Sequence, residues 1–270
     1  MKKLLYHTLG YPSDLYTERS FALPEIKALR SVYDEIIIIP TSDFGNKFGY
    51  EKELPEGVKV DWTIARDSIV HSRMMRLPYL AHPFVIRTLV EMCGEARTPG
   101  QFGSGFLSAA TTVRVASLLE KITLRHSMTR DNTTLYSLWM AGAFNGMARF
   151  AMRHKQRLFA RAHGFDIRKE PDNFRSDRMR KRLLYGVDKV FMIADGARCK
   201  MEELFPEHAD RFETIRLGSS RLFSPHSLNL DSDTIRIVTS ARFVRLKRLP
   251  ETLEILGEAT DMIPDRKIEW

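Results

Sequence analysis

The chain has 270 residues, 43% of them hydrophobic, with 42 Lys and Arg against 34 Asp and Glu and a formal charge of +8. That length is long for one ordinary domain and short for two full ones, and the apolar fraction suffices for a globular core. The charge favours anionic partners, no uninterrupted apolar run of about 18 residues predicts a membrane-crossing helix, and two cysteines, Cys93 and Cys199, are too few for a secreted disulfide framework.

The start, MKKLLYHTLGYP, is basic, but Tyr6, His7 and Thr8 interrupt its apolar run, so no signal peptide is expected and the cytoplasm is the expected home. KKLLYHTL reads as a first strand. Glu18 to Val32 has helical spacing, with Pro24 suited to a first turn or a kink. DEIIIIPT follows, and four consecutive isoleucines predict a strand buried on both faces, central in a parallel sheet covered by helices. Asp67 to Thr134 is mostly helical in pattern. Within it, TPGQFGSGF reads as a glycine-rich loop; its G-x-x-G-x-G order and the lack of a preceding strand argue against a phosphate cradle.

Arg149 to Arg161 and Arg175 to Arg182 are basic runs, each a solvated helix face or a binding surface. LFARAHGFD ends the first of them. His163 there either packs or stands at a strand edge facing a substrate, and Gly164 suits close backbone approach or positive φ. Asp166 is expected to position this loop or His163, and Arg161 to be a surface cation. Val187 to Ala194 is a second buried strand, and Asp195 is a helix cap before GARCKMEELF. Strands also fit Glu213 to Leu217 and Thr234 to Ser240, on either side of a polar connector. Strands alternating with helices give an α/β, doubly wound reading. The last segment, roughly 40 residues, reads as strand, loop, helix and strand, and cannot bury two faces of a sheet by itself.

Ser240 to Arg248 lies between that strand and a helix opened by Pro250 and Glu251. Ligands of open α/β sheets gather at such a place, and Arg242 and Lys247 can both reach one diphosphate from it; taken alone, two loop cations are more often solvated than functional. Other constellations are poorer. The histidines show no H-E-x-x-H spacing and the cysteines are isolated, so no metal site is expected. Ser240 has no evident base. Tyr136 and Trp139 read as core aromatics rather than sugar platforms, and the basic runs lack the interleaved aromatics of single-strand nucleic-acid binders.

SARFVRLKR resembles the GR-x-x-x-x-K loop of family-four glycosyltransferases of the GT-B fold, with Ala241 in place of the leading Gly. The likeness is closest to bacterial capsule and exopolysaccharide members and continues in order along the chain. YPSDLYTERSFALPEIKALRSVYDEIIIIP looks like their opening, LYSLWM resembles their YSYW segment, and RAHGFDIRKE matches their R-x-HG-x-D segment. FMIADGARCKMEELFPEHADRFETIRLGS resembles their strand, helix and RLG exit, and KIEW the strand before their next glycine turn. Residues 1–55 and 135–270 are covered well and 60–130 weakly. The family's opening glycine-rich loop is reduced here to Gly10, and its later glycine turn, base pocket and spaced glutamates would fall beyond Trp270.

This resemblance implies a retaining, metal-independent glycosyltransferase of hexosyltransferase type, without a cofactor. It would move a sugar from a nucleotide-diphosphate donor to a growing polysaccharide or lipid-linked glycan. The resemblance implies that Arg242 and Lys247 bind the donor diphosphate and that His163 is catalytic, at the cleft between two domains. Arg161, Gly164, Asp166 and Ser240 would line or position that site. The expected architecture is GT-B: residues 1–217 a Rossmann-like, doubly wound acceptor-side domain, 218–233 a linker, and 234–270 the start of an incomplete donor-binding domain. On this reading the chain is a fragment inactive alone, cytoplasmic and peripheral on the inner face of the cell membrane. The alternative is a non-catalytic module that binds an anionic membrane, a glycan or a partner protein; nucleic acid is not expected as a partner.

Overall fold

The computed structural model describes residues 1–13, 16–43, 50–167, 176–218, 233–241 and 243–270. The chain divides into two compact units, Met1–Gly218 and Ser219–Trp270. In the first, β1 (Lys3–Thr8), α1 (Tyr16–Leu29), β2 (Glu35–Pro40) and β3 (Val58–Val60) lead into α2 (Ser68–His71), α3 (Pro83–Met92) and α4 (Pro99–Arg125). β4 (Thr133–Ser137), α5 (Phe144–His154), β5 (Leu158–Ala162), α6 (Gly164–Ile167), α7 (Asp177–Leu184), β6 (Lys189–Met192), α8 (Asp195–Leu204) and β7 (Phe212–Thr214) complete it. The seven strands form one sheet in the order β3-β2-β1-β4-β5-β6-β7, with every neighbouring pair parallel. The unit is therefore α/β and Rossmann-like.

Successive side chains of a strand face opposite sides. Leu4, Tyr6, Ile36 and Ile38 accordingly meet Ala22 and Ile26 of α1 on one face. Leu5, Ile37 and Ile39 lie on the other, in a core that also takes in Val85, Leu119, Met147 and Leu183 from α3, α4, α5 and α7. This two-sided cover is why all four consecutive isoleucines are 0% exposed. β2 is an interior strand, paired with β1 on one side and β3 on the other, although the middle strand of the seven is β4. Three residues of β3 are too few to leave a period-two pattern in the sequence.

Three helical expectations also change. α1 begins at Tyr16, which puts Pro24 in its interior rather than its first turn; the burial of Ala22 and Ile26 at 0% exposure holds the helix through a residue that cannot donate. The glycine-rich TPGQFGSGF is the start of α4, not a loop: the Thr98 side chain accepts from the Gln101 N–H and Pro99 takes the first turn. Asp195 is not a cap. The N-cap of α8 is Ala194, and Asp195 stands in the first turn paired with Arg216 at 2.7 Å. By length and composition α4 is long and apolar enough to cross a membrane, yet half of that stretch is buried inside the unit.

Helix α5 and the turn before β6 come within backbone contact at Gly186, where an added Cβ would stand 2.2 Å from the Ala148 carbonyl oxygen. A carbonyl cannot rotate away as a side-chain tip can. Gly186→Ala is expected to lower stability by about 1–3 kcal/mol, the usual cost of overpacking. Gly196→Ala, where a Cβ meets nothing within 4 Å, is the control that should leave thermal melting unchanged or slightly raised.

The second unit, considered alone, pairs β8 (Thr234–Arg236) with β9 (Lys267–Glu269) in parallel, joined through α9 (Leu249–Met262). None of its described residues is buried, and Phe243 is 94% exposed. The connector residues 219–232 lie outside the described residues.

Candidate functional site

The strand order of the first unit reverses between β1 and β4: β2 and β3 lie beyond β1, while β5 to β7 lie beyond β4. Ligands of open α/β sheets bind at the carboxyl ends of strands beside such a reversal. In this protein the turn that leaves β1 is already closed by a carboxylate from the same chain. Glu18 Oε1 accepts the Leu9 N–H at 2.7 Å, and Oε2 accepts those of Gly10 at 2.7 Å and Tyr11 at 2.8 Å. The indole Nε1 of Trp139, beyond β4, donates to Oε1 at 2.5 Å. Converging backbone N–H groups make an anion nest, and Glu18, 1% exposed and in the first turn of α1, fills it. The helix dipole favours a negative charge at that end.

Below this turn the strand ends are tied by a neutral histidine. Ser137 Oγ donates to the Trp139 carbonyl at 2.6 Å, so it accepts from His7 Nδ1 at 2.7 Å. That fixes the proton on Nδ1 and leaves Nε2 to accept from Thr41 Oγ1 at 2.8 Å, while Thr41 Oγ1 accepts the Ala143 N–H at 3.1 Å. Gly142 permits this approach: its φ is +61°, and a Cβ there would stand 2.4 Å from Thr41 Oγ1. His7 is 0% exposed and burial lowers its pKa to about 3. The Ser–His pair is structural: both imidazole nitrogens already have protein partners.

His163 is different. It follows Ala162, the last residue of β5, at the carboxyl end of the sheet. Its ring lies 3.9 Å from the Trp139 ring, centroid to centroid, so the Glu18–Trp139 bond also fixes the surface against which His163 rests. Burial, with a smaller contribution from the Arg161 charge, lowers the His163 pKa to about 4. The imidazole is therefore neutral near pH 7. Neither ring nitrogen has a hydrogen-bond partner among the described residues, and both are shielded from solvent. A buried polar group left this way costs about 1–3 kcal/mol, which is the expense expected of a side chain kept for a ligand. One nitrogen can accept a proton or hydrogen bond and the other can donate one.

The residues around it hold it in place. Asp166 Oδ2 accepts the His163 N–H at 2.9 Å, and the Asp166 N–H donates back to the His163 carbonyl at 3.0 Å. Nδ1 of the ring is 3.9 Å from the same carboxylate oxygen, beyond hydrogen-bond reach. Gly164 does not answer the need expected of it: its φ is not in the left-handed region, and a Cβ would meet no protein atom within 4 Å. Arg161 is not a surface cation. It donates to Glu25 Oε1 at 3.0 Å and to the Tyr136 hydroxyl at 3.1 Å, and the Tyr6 and Tyr136 hydroxyls each donate to Glu25 at 2.7 Å. Burial and the Glu25 charge raise the pKa of both tyrosines, so they remain donors.

Part of each basic run is tied to the fold, while Lys155 and Arg157 stay exposed and Arg175 lies outside the described residues. Arg149 and Arg182 stand over the Phe84 ring at 4.3 and 4.5 Å, and Arg182 pairs with Glu91 at 3.0 Å. Lys181 pairs with Glu207 at 2.7 Å and Arg153 with Glu120 at 3.4 Å. A wholly solvated face does not describe them. Sequence reasoning missed the Glu18–Trp139 pair and His7. The available signal was an acid placed where a helix starts, just after a strand and a Gly-containing turn.

In the second unit, Ser240 and Lys247 are exposed, and Arg242 lies outside the described residues. The N-cap of α9 is Arg248, at φ 52°, with no side-chain capping bond, and Pro250 falls in the first turn. The N-cap residue thus offers no side chain to the first N–H groups of that helix, although Glu251 bonds a backbone N–H in its first turn. Among the described residues no group of three or more His, Cys, Asp or Glu could hold a metal ion. No family model and no curated protein matches the chain.

Proposed function

We propose that this chain belongs to a GT-B glycosyltransferase that moves a sugar from a nucleotide-diphosphate donor to a growing polysaccharide or lipid-linked glycan. The observation that carries the reading is His163: a neutral imidazole with two unpartnered ring nitrogens, at the carboxyl end of a parallel sheet beside its strand-order reversal. In this reading the ring meets a hydroxyl of the transferred sugar or of the acceptor, while Trp139 and Asp166 position it. Arg242 and Lys247, with the start of α9, take the diphosphate. The charge that gathers on the departing diphosphate would then be met by these cations and by N–H dipoles, the kind of stabilisation from which most of such catalysis comes.

Exposed Met74, Met75, Leu77 and Leu80 lie beside Arg73 in the segment between α2 and α3. Apolar side chains flanked by a cation suit the interface of an anionic membrane, where a lipid-linked acceptor would be presented. This supports the membrane-peripheral part of the reading.

The test is transfer of labelled sugar from UDP-, GDP- and ADP-sugars to a lipid-linked acceptor, alongside calorimetric donor binding, using the protein from its whole reading frame. His163→Ala is expected to lower transfer by roughly 100-fold or more while leaving donor binding nearly intact, since its contact matters most as charge develops. Lys247→Ala is expected to weaken donor binding about tenfold. A folded protein that neither binds these donors nor transfers sugar from them sinks the proposal.

A further inference from the structure

At the amino ends of β1, β4 and β5, away from His163, the first unit has a pocket of about 710 Å³. Lys2, Arg130, Lys155 and Arg157 line it, with Asp131 as its single carboxylate. We infer that this pocket binds a small phosphorylated anion of the diphosphate class. This inference is independent of the transferase reading.

Four cations against one carboxylate leave an excess of three positive charges in one concave lining. Among the described residues none of these four side chains has an ion pair, while the acids nearby are engaged. Glu35 is held by Lys3 at 3.2 Å and Lys59 at 2.7 Å, and Asp34 accepts the Lys2 backbone N–H at 2.5 Å. Gathered like charges repel one another, and a bound anion relieves that repulsion. Lys2 and Arg157 immediately precede β1 and β5, and Arg130 lies in the turn before β4. The sheet register therefore brings together cations that are far apart in the chain.

Lys155 supplies a second observation. It closes α5 with φ 51°, a left-handed position where glycine is the usual residue. A lysine held there carries a backbone cost. The dipole of α5 accounts for a cation at that helix end, but not for Lys2, Arg130 and Arg157 at the same pocket. The volume exceeds what one phosphate fills, Val32 and Tyr33 provide a less polar wall, and an excess of three charges suits a diphosphate better than a single phosphate ester. The Arg guanidinium is the donor best shaped for phosphate oxygens.

The experiment titrates sodium diphosphate and, separately, inorganic phosphate into the protein by calorimetry, at low and raised salt. Diphosphate should bind saturably and about tenfold or more tighter than phosphate, and weaken as salt rises. An Arg130→Ala, Arg157→Ala double variant, both sites exposed, should lose that binding by about tenfold or more. A second arm adds vesicles of phosphatidic acid or of phosphatidylcholine. Binding to the first alone, competed by diphosphate and lost in the double variant, assigns a lipid headgroup; diphosphate binding without vesicle binding assigns a free anion. Absence of saturable diphosphate binding, or binding that survives the double substitution, overturns the inference and leaves the four as cations that serve only the fold.

Discussion

Acidification from pH 7 to pH 4 will remove roughly 6 kcal/mol of folding stability through two histidines, a loss comparable to the whole stability of many domains. Burial lowers the pKa of His7 to about 3 and that of His163 to about 4, from the ordinary value of 6.5. Above pH 6.5 both are neutral folded and unfolded, and their contribution is fully present. As pH falls below that, the unfolded chain takes up protons that the native state refuses, so stability falls with pH. The loss ends near pH 4 for His163 and near pH 3 for His7. Each site contributes a slope of about 1.4 kcal/mol per pH unit, and His82 and His208, also lowered first by burial, add to it with the same sign.

Urea unfolding at intervals from pH 7.5 to 5 isolates this effect, because carboxylates titrate mainly below that window. His163→Gln removes one titrating group and should flatten the slope by about 1.4 kcal/mol per unit. It also separates the two histidines, since the His7 hydrogen bonds are untouched. A stability that stays level from pH 6.5 to 5 would mean that neither ring is held neutral by burial.

How far the sequence spoke for this fold differs from strand to strand. β2 was legible because four isoleucines admit only two-sided burial, and all four are 0% exposed. Its outer partner β3 was not, because three residues are too few to have a period. β4 and β5 were obscured because their α1-facing side carries Tyr136 and Arg161, whose polar groups are satisfied by Glu25 from a distant helix. A side-chain network of that kind has no local signature. The same reason hid the site. His163 stood out as a histidine beside a glycine, but Glu18 and Trp139, 121 positions apart, meet only once β1 and β4 are neighbours. The basic runs show the converse: local composition is visible, whereas Glu91, Glu207 and the Phe84 ring that meet Arg182, Lys181 and Arg149 are not.

Glu18→Ala will destabilise the first unit by about 4 kcal/mol and unfasten the site. Glu18 accepts three backbone N–H groups and the Trp139 indole, and no cation shares it among the described residues. Hydrogen bonds to a charged group contribute about 1.5–3 kcal/mol, and buried donors left unmatched cost about 1–3 kcal/mol each. Water entering the vacated space recovers part of that sum, which keeps the net below it. The nest itself should survive, because its geometry belongs to the β1–α1 turn. Added formate should therefore bind in the space and restore stability as its concentration rises, following the ordinary linkage of ligand to the native state. Glu18→Gln should be similarly unstable but resist rescue: its amide fills the space and sets an N–H₂ donor against donors. Thermal melts of both variants with formate and with sodium chloride at equal ionic strength make the comparison, and Trp139 emission should shift as its ring loses its fixed partner. If formate and chloride act alike on Glu18→Ala, the turn is not an anion nest and Glu18 is held there by the packing of α1 alone.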